Sequence, residues 1–178
     1  MVAPWKPRRA LSIRLSGGGP GAATPHHNDA RRRAKDRANV IHAVIYQNAW
    51  SESIDSFSAT FDGVSLDASV LLMAELKFLP PDDERLQKTI KTIGTALRRG
   101  DFFMRYVQPD DFGLPQNAFI VCSFWYIQAL DYIGEKAAAR ELFEPLLSYR
   151  NPLGVFSEDI DPETGELFFI AYHDQPIV

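Results

Sequence analysis

The 178-residue sequence holds a single cysteine, Cys122, so an internal disulfide is excluded. Its setting, AFIVCSFW, reads as a small buried hydrophobe and not as a nucleophile. No run of about 18 apolar residues occurs, and no charged segment leads into an apolar one at the N-terminus. Neither a membrane span nor a secretory leader is therefore expected, and a cytoplasmic location is the default. His26, His27, His42 and His173 share no ligand spacing with acids on one helix, so no metal is expected. Phosphate-cradling and nucleophile-elbow glycine patterns are missing as well, and no cofactor is expected. Asp159, Asp161 and Glu163 have a calcium-loop flavour, but Thr164 stands where the sharp turn needs glycine and Ile170 where a bidentate glutamate is due.

What is present is enough apolar material for one core: 46% of residues are hydrophobic and 12% aromatic. The net charge of −4 conceals a division. Residues 1–37 carry nine basic and two acidic side chains, leaving ten basic and twenty-one acidic for residues 38–178. The basic head, with Gly17-Gly18-Gly19-Pro20-Gly21 and Arg31-Arg32-Arg33, has few periodic apolar positions before about residue 34 and reads as a poorly packed segment. A nucleic-acid arm is the rival reading, but no aromatic residues interleave with the arginines, and no nucleic-acid partner is expected.

From residue 34 the pattern is helical. A first helix is predicted over 34–48, with Val40, Ile41, Val44 and Ile45 on one face. The next begins near Leu66 and is apolar nearly all round, in LDASVLLMAELKFL. After Pro80-Pro81, Asp82 or Asp83 caps a third helix with Leu86, Ile90, Ile93 and Leu97 on one face. The fourth, 117–133, is again apolar almost throughout. The fifth, 135–149, follows Gly134 and shows one stripe in Leu142, Phe143, Leu146 and Leu147. Connections leaving the apolar helices are short, and those entering them are long, so the long loops share one rim. The apolar helices start about 51 residues apart, which sets a third near residue 168. Two layers of helices with function at one rim describe an all-α toroid, or equally a helical-repeat scaffold.

The last long loop holds LGVFSEDIDPETGEL, an acidic turn in which Gly154 frees the backbone, Pro162 fixes φ and Thr164-Gly165 closes a second bend. It sets Glu158 toward solvent or a cleft, and either an acidic surface loop or a site accounts for it.

Three segments, LDASVLLMAELKFLPPDDERLQKTI, MRYVQPDDFGLPQNAFIVCSFWYIQALDYIG and LGVFSEDIDPETGEL, resemble in order and spacing the C-terminal half of glycoside hydrolase family 15. This is the glucoamylase group with its bacterial trehalase-like and glucodextranase-like relatives. The resemblance spans roughly residues 34–167, with 1–33 a basic head and 168–178 a divergent tail. It implies part of an (α/α)6 toroid and inverting hydrolysis of α-glucosidic bonds by two glutamates. Inversion needs an acid for the leaving oxygen and a base for water, with carboxyls roughly 6.5–9.5 Å apart. By resemblance Ser157-Glu158 matches the family's Ser-Glu motif, which makes Glu158 the general base. Arg105-Tyr106 matches a sugar-binding pair, and the guanidinium fork suits vicinal hydroxyls. Without the resemblance Arg105 reads as an ion-pair partner of Asp110 or Asp111. Asp67 matches a position at the site rim, where helix capping explains it equally well. Asn117 and Phe119 lie where the family turns from loop to helix beside the sugar, while Trp125 reads as core.

The sequence departs from the family at both ends. The family's general acid lies upstream in a tryptophan-glutamate motif, and Trp5-Lys6-Pro7-Arg8 has lysine where the acid is required. Downstream, FFIAYHDQPIV replaces the family's Gly-Asn-Phe-Pro-Gln-like start of a last inner helix. The expectation is a fragment of an α-glucoside hydrolase, inactive alone, whose N-terminal half is missing or supplied by a partner. The alternative is a non-catalytic helical binding module.

Overall fold

The computed structural model describes residues 25–111 and 113–168, which fall in two compact units divided between Asn48 and Ala49. Within the first unit, α1 runs Pro25–Asn48. It starts well before the expected residue 34, because proline is tolerated at the first helical position and the alanines and arginines that follow are good helix formers. Val40, Ile41 and Val44 on this helix are exposed. Arg33 pairs with Asp29 at 3.0 Å, one turn earlier.

The second unit opens with a hairpin, β1 (Trp50–Ser51) and β2 (Ser56–Phe57), which α3 (Glu84–Ala96) secures. Buried Thr89 Oγ1 accepts from the Phe57 N–H at 3.0 Å and donates to the Arg85 carbonyl at 2.8 Å, so one hydroxyl satisfies two backbone groups. Asp83, rather than Asp82, caps α3 by accepting from the Leu86 N–H at 3.1 Å. As the spacing predicts, Leu86, Ile90, Ile93 and Leu97 are all buried. Gly94 on the same helix admits the Tyr126 ring so closely that a Cβ would collide with the phenol oxygen.

The expected long second helix is a correction. Residues Ala68–Leu71 form a 3-10 turn, and α2 occupies only Leu72–Glu75. Its end is set by Lys77 in the left-handed region (φ 52), with the Phe78 N–H bonded to Met73 O and the Lys77 N–H to Ala74 O. That pattern is a Schellman stop built without its usual glycine. Leu76 and Lys77 are exposed, so the segment is not buried all round.

Helix α4, Ile120–Tyr132, and helix α5, Lys136–Leu146, are separated by Gly134 at φ 94, where glycine makes the same stop without strain. Both are shorter than expected. Residues Ala118–Phe119 form strand β5, and Leu147–Tyr149 a 3-10 turn. The predicted stripe on α5 is buried at Leu142 and Leu146, but Phe143 lies 39% exposed.

The long loops carry short ribbons. β3 (Arg98–Arg99) pairs with β4 (Phe102–Phe103), while β5, β6 (Asp159–Ile160) and β7 (Leu167–Phe168) form an antiparallel three-stranded sheet. Five α-helices and these ribbons, among the described residues, make the all-α class expected. Trp5 and most of the expected replaced tail lie outside the described residues, as does the bulk of the helix due near 168.

Candidate active site

The first turn of α4 is where the three motif segments converge. On one side, β4 is held to it by the buried Ser123 hydroxyl, which accepts from the Phe103 N–H at 3.1 Å. Two residues further, Arg105 leaves β4 and its carbonyl accepts from the Ala68 N–H at 2.7 Å. That bond lays the start of the Asp-Ala-Ser segment alongside the Arg-Tyr segment. On the other side, the Ile120 N–H donates to the Glu158 carbonyl at 3.0 Å, which continues the β5–β6 ladder into the helix.

Asp67 caps the 3-10 turn, as weighed for it, and also makes an ion pair. Its Oδ1 accepts from the Ser69 N–H at 2.7 Å as an N-cap, and its Oδ2 lies 3.4 Å from Arg105 Nε. Arg105 thus pairs with Asp67 across the fold, in place of the Asp110 or Asp111 partnership read locally. The Arg105 side chain is 50% exposed, so its remaining guanidinium donors face a wet surface. Half-buried Tyr106 donates its phenol proton to Asp110 Oδ2 at 2.6 Å. That bond raises the Tyr106 pKa above the usual tyrosine value, with smaller contributions from burial and the Asp110 charge. Cys122, on the first turn of α4, is pushed up to about 12 by burial, then by the Asp67 charge, with Arg105 acting in the opposite sense. Its thiol is an inert core group beside the Asp67–Arg105 pair.

On the opposite flank Glu158 is exposed between buried Ser157 and half-buried Asp159. Asn117 is half-buried just before β5, and Phe119 stands directly opposite Asp159 in the sheet register. Asp159 Oδ1 is buried without a hydrogen-bond partner. Burial raises the Asp159 pKa, and the adjacent Glu158 charge raises it further. Asp161 goes the other way. Its carboxylate accepts from the Glu163 N–H at 2.8 Å and the Thr164 N–H at 3.2 Å, and those backbone bonds lower its pKa. Asn151 closes the preceding bend in the same manner, its side-chain oxygen accepting from Leu153 N and Val155 N at 2.9 and 3.0 Å.

The structure therefore joins Asp67, Arg105 and Tyr106 at one corner and sets Asn117, Phe119 and Glu158 along the adjoining β5–β6 edge. Three contributors were not picked from the sequence as such: Asp110 as the acceptor for Tyr106, and Asn151 and Asp161 as the residues that fix the acidic turn. The signal for the last two was the Asn-Pro and Asp-Pro pairs, since such dipeptides initiate turns. Among the described residues no cluster of metal-ligating side chains occurs, and no helix is long and apolar enough to cross a membrane.

This arrangement of helices is a glycosidase fold. A solved wild-type glycosidase superposes with a TM-score of 0.63 at 17% identity, over 78% of this chain and 35% of its own. A glycosidase variant in complex with glucose aligns with the same score at 16% identity, covering 35% of that chain. The chain is thus a partial α/α toroid, as expected. Residues 20–173 match glycosyl hydrolases family 15, and the chain belongs to that family. Among its relatives, a trehalase of Mycobacterium tuberculosis is 40% identical over 131 residues, 72% of this chain and 19% of its own. A Mycolicibacterium smegmatis trehalase is 42% identical over 104 residues, 57% of this chain and 16% of its own. A Thermoplasma acidophilum trehalase is 35% identical over 68% of this chain and 21% of its own. The chain spans about a fifth of the length of these relatives.

Proposed function

We propose that this chain contributes the general-base side of an inverting α-glucoside hydrolase site. Glu158 activates the water, and Arg105, Tyr106, Asp67, Asn117 and Phe119 hold the sugar. The observation that supports this reading is the Asp67–Arg105 pair at the first turn of α4, whose Ile120 N–H binds the Glu158 carbonyl. A solvent-facing carboxylate whose strand meets the same helix turn as a fixed guanidinium donor is the chemistry that base catalysis on a polyhydroxy substrate requires. The trehalase names of the relatives favour an α-glucosyl glucoside among possible substrates.

The acid half of the mechanism has no counterpart in the sequence. Loss of a general acid alone costs a factor of about 10² to 10⁴ in rate. The chain by itself is thus expected to bind glucose without releasing it from trehalose, maltose or isomaltose. Incubation with each disaccharide and an enzymatic glucose assay tests this. Glucose release by the wild-type chain that Glu158→Gln abolishes would overturn the expected inactivity. Glucose binding unaffected by Arg105→Leu would overturn the sugar-site assignment.

A further inference from the structure

We propose that Asp110 is a positioning residue that fixes Tyr106 as a hydrogen-bond acceptor toward the ligand, so that the site selects a sugar hydroxyl able to donate at that point. The inference rests on the glucoside-binding reading given above and extends it to the polarity of one contact. A phenol has one proton to give and lone pairs to accept with. In Tyr106 that proton is committed to Asp110 Oδ2 at 2.6 Å, the short length of a bond to an ionised carboxylate. What remains for a ligand is the acceptor side of the oxygen.

The backbone around Asp110 is built to keep this bond. Asp110 and Gly113 exchange two backbone hydrogen bonds, Asp110 N to Gly113 O at 2.9 Å and Gly113 N to Asp110 O at 3.1 Å. Gly113 sits at φ 106, a conformation that costs glycine nothing and other residues a good deal. These two bonds fix the Asp110 backbone four residues after Tyr106. Beside them, Arg105 is held through its Nε by Asp67, and its guanidinium can only donate. The corner therefore offers a donor from Arg105 and an acceptor from Tyr106 on consecutive residues. A hydroxyl contacting both would accept from the first and donate to the second.

The polarity is readable with glucose analogues, because replacing a hydroxyl by fluorine leaves a weak acceptor and removes the donor. Glucose, its monodeoxy series and its monodeoxyfluoro series are titrated into the full chain, with binding followed by NMR. One ring position is expected at which the deoxy and the fluoro sugar both bind about 3- to 10-fold more weakly than glucose, the worth of one hydrogen bond. In Asp110→Asn, whose amide can also donate, the phenol is free to reverse, and the fluoro sugar regains affinity relative to the deoxy sugar. A fluoro sugar that matches glucose on the wild-type chain at every position would overturn the proposal, as would discrimination that survives Tyr106→Phe.

A second measurement separates this inference from the glucoside reading. With 13C-labelled tyrosine, and Tyr106→Phe to assign the signal, the Tyr106 phenol is expected to titrate above the ordinary tyrosine value and to fall in Asp110→Asn. A phenol titration that Asp110→Asn leaves unmoved overturns the positioning role whatever the chain binds. A shifted phenol in a chain that binds no glucose upholds the Asp110–Tyr106 pair and overturns the sugar-site reading alone.

Discussion

At the corner built from Asp67, Arg105, Tyr106 and Asp110, each carboxylate has a donor side chain against it. Along the β5–β6 edge, Glu158 and Asp159 stand next to each other with no cation within ion-pair distance among the described residues. The two flanks meet the same helix turn, yet one spends its charges on internal pairs and the other leaves them open. Paired groups keep fixed directions and suit recognition. An unpaired carboxylate keeps its lone pairs for a water, at the expense of local repulsion. On the proposed roles, recognition and reactivity ask opposite things of a carboxylate.

The wall between the flanks is the strongest place to break the comparison. Ser123→Ala removes the hydroxyl that accepts from the Phe103 N–H inside the core, where both residues are about 1% exposed. Stranding a buried donor costs about 1–3 kcal/mol, which chemical denaturation would read directly. Loosening of β4 is expected to release Arg105 and its contact with Ala68 together. A variant as stable as the wild type would show that the corner does not depend on α4.

How much of this could be read in the sequence depends on whether local chemistry or long-range pairing decides the element. Helix α3 was legible because its cap, its four-three-four apolar spacing and its preceding prolines are all local. Gly134 was legible as a stop for the same reason. Lys77 makes the same stop without glycine, so composition offered no sign, and an apolar run read as one long helix. Ala118 and Phe119 read as helix because their partners, Ile160 and Asp159, lie some forty residues away and no local signal names them. At the site, Asp67 and Arg105 were each singled out. Their pairing was not, because a separation of 38 residues leaves the choice of partner to the fold.

Asp67→Ala tests the paired flank with a smaller effect. It deletes an N-cap worth about 0.5–2 kcal/mol and a half-exposed ion pair worth about 0–1 kcal/mol. Asp67→Asn separates the two, since asparagine still caps but carries no charge. Near-wild-type stability in Asp67→Asn, with a loss of about 1 kcal/mol in Asp67→Ala, is the expected result. Equal losses in both would assign the stabilisation to the ion pair and make the corner more than a capped turn.

The smallest effects, and the sharpest contrast, lie within the open flank itself, where Asp159 and Asp161 are two residues apart and shifted in opposite directions. A carboxyl whose folded pKa is raised binds its proton more tightly when folded. Asp159 therefore contributes stability that is fully present below the usual aspartate value of 3.8 and is lost as pH rises through its higher folded pKa. Asp161, lowered by its two backbone N–H donors, contributes stability present above 3.8 and lost as pH falls through its lower folded pKa. Thermal melts from pH 7 to pH 3 should thus separate the two variants. Asp159→Asn is expected to melt above the wild type at neutral pH and to lose that advantage in acid, because the amide removes a shielded charge beside Glu158. Asp161→Ala is expected to melt below the wild type at neutral pH and to start approaching it only as pH falls below 3.8, where the turn's carboxylate takes up its proton. If both variants moved the melting temperature in the same direction at pH 7, the hairpin would be an ordinary acidic loop. Opposite signs would show that one carboxylate builds the turn while its neighbour is held at a cost, next to the glutamate assigned the catalytic role.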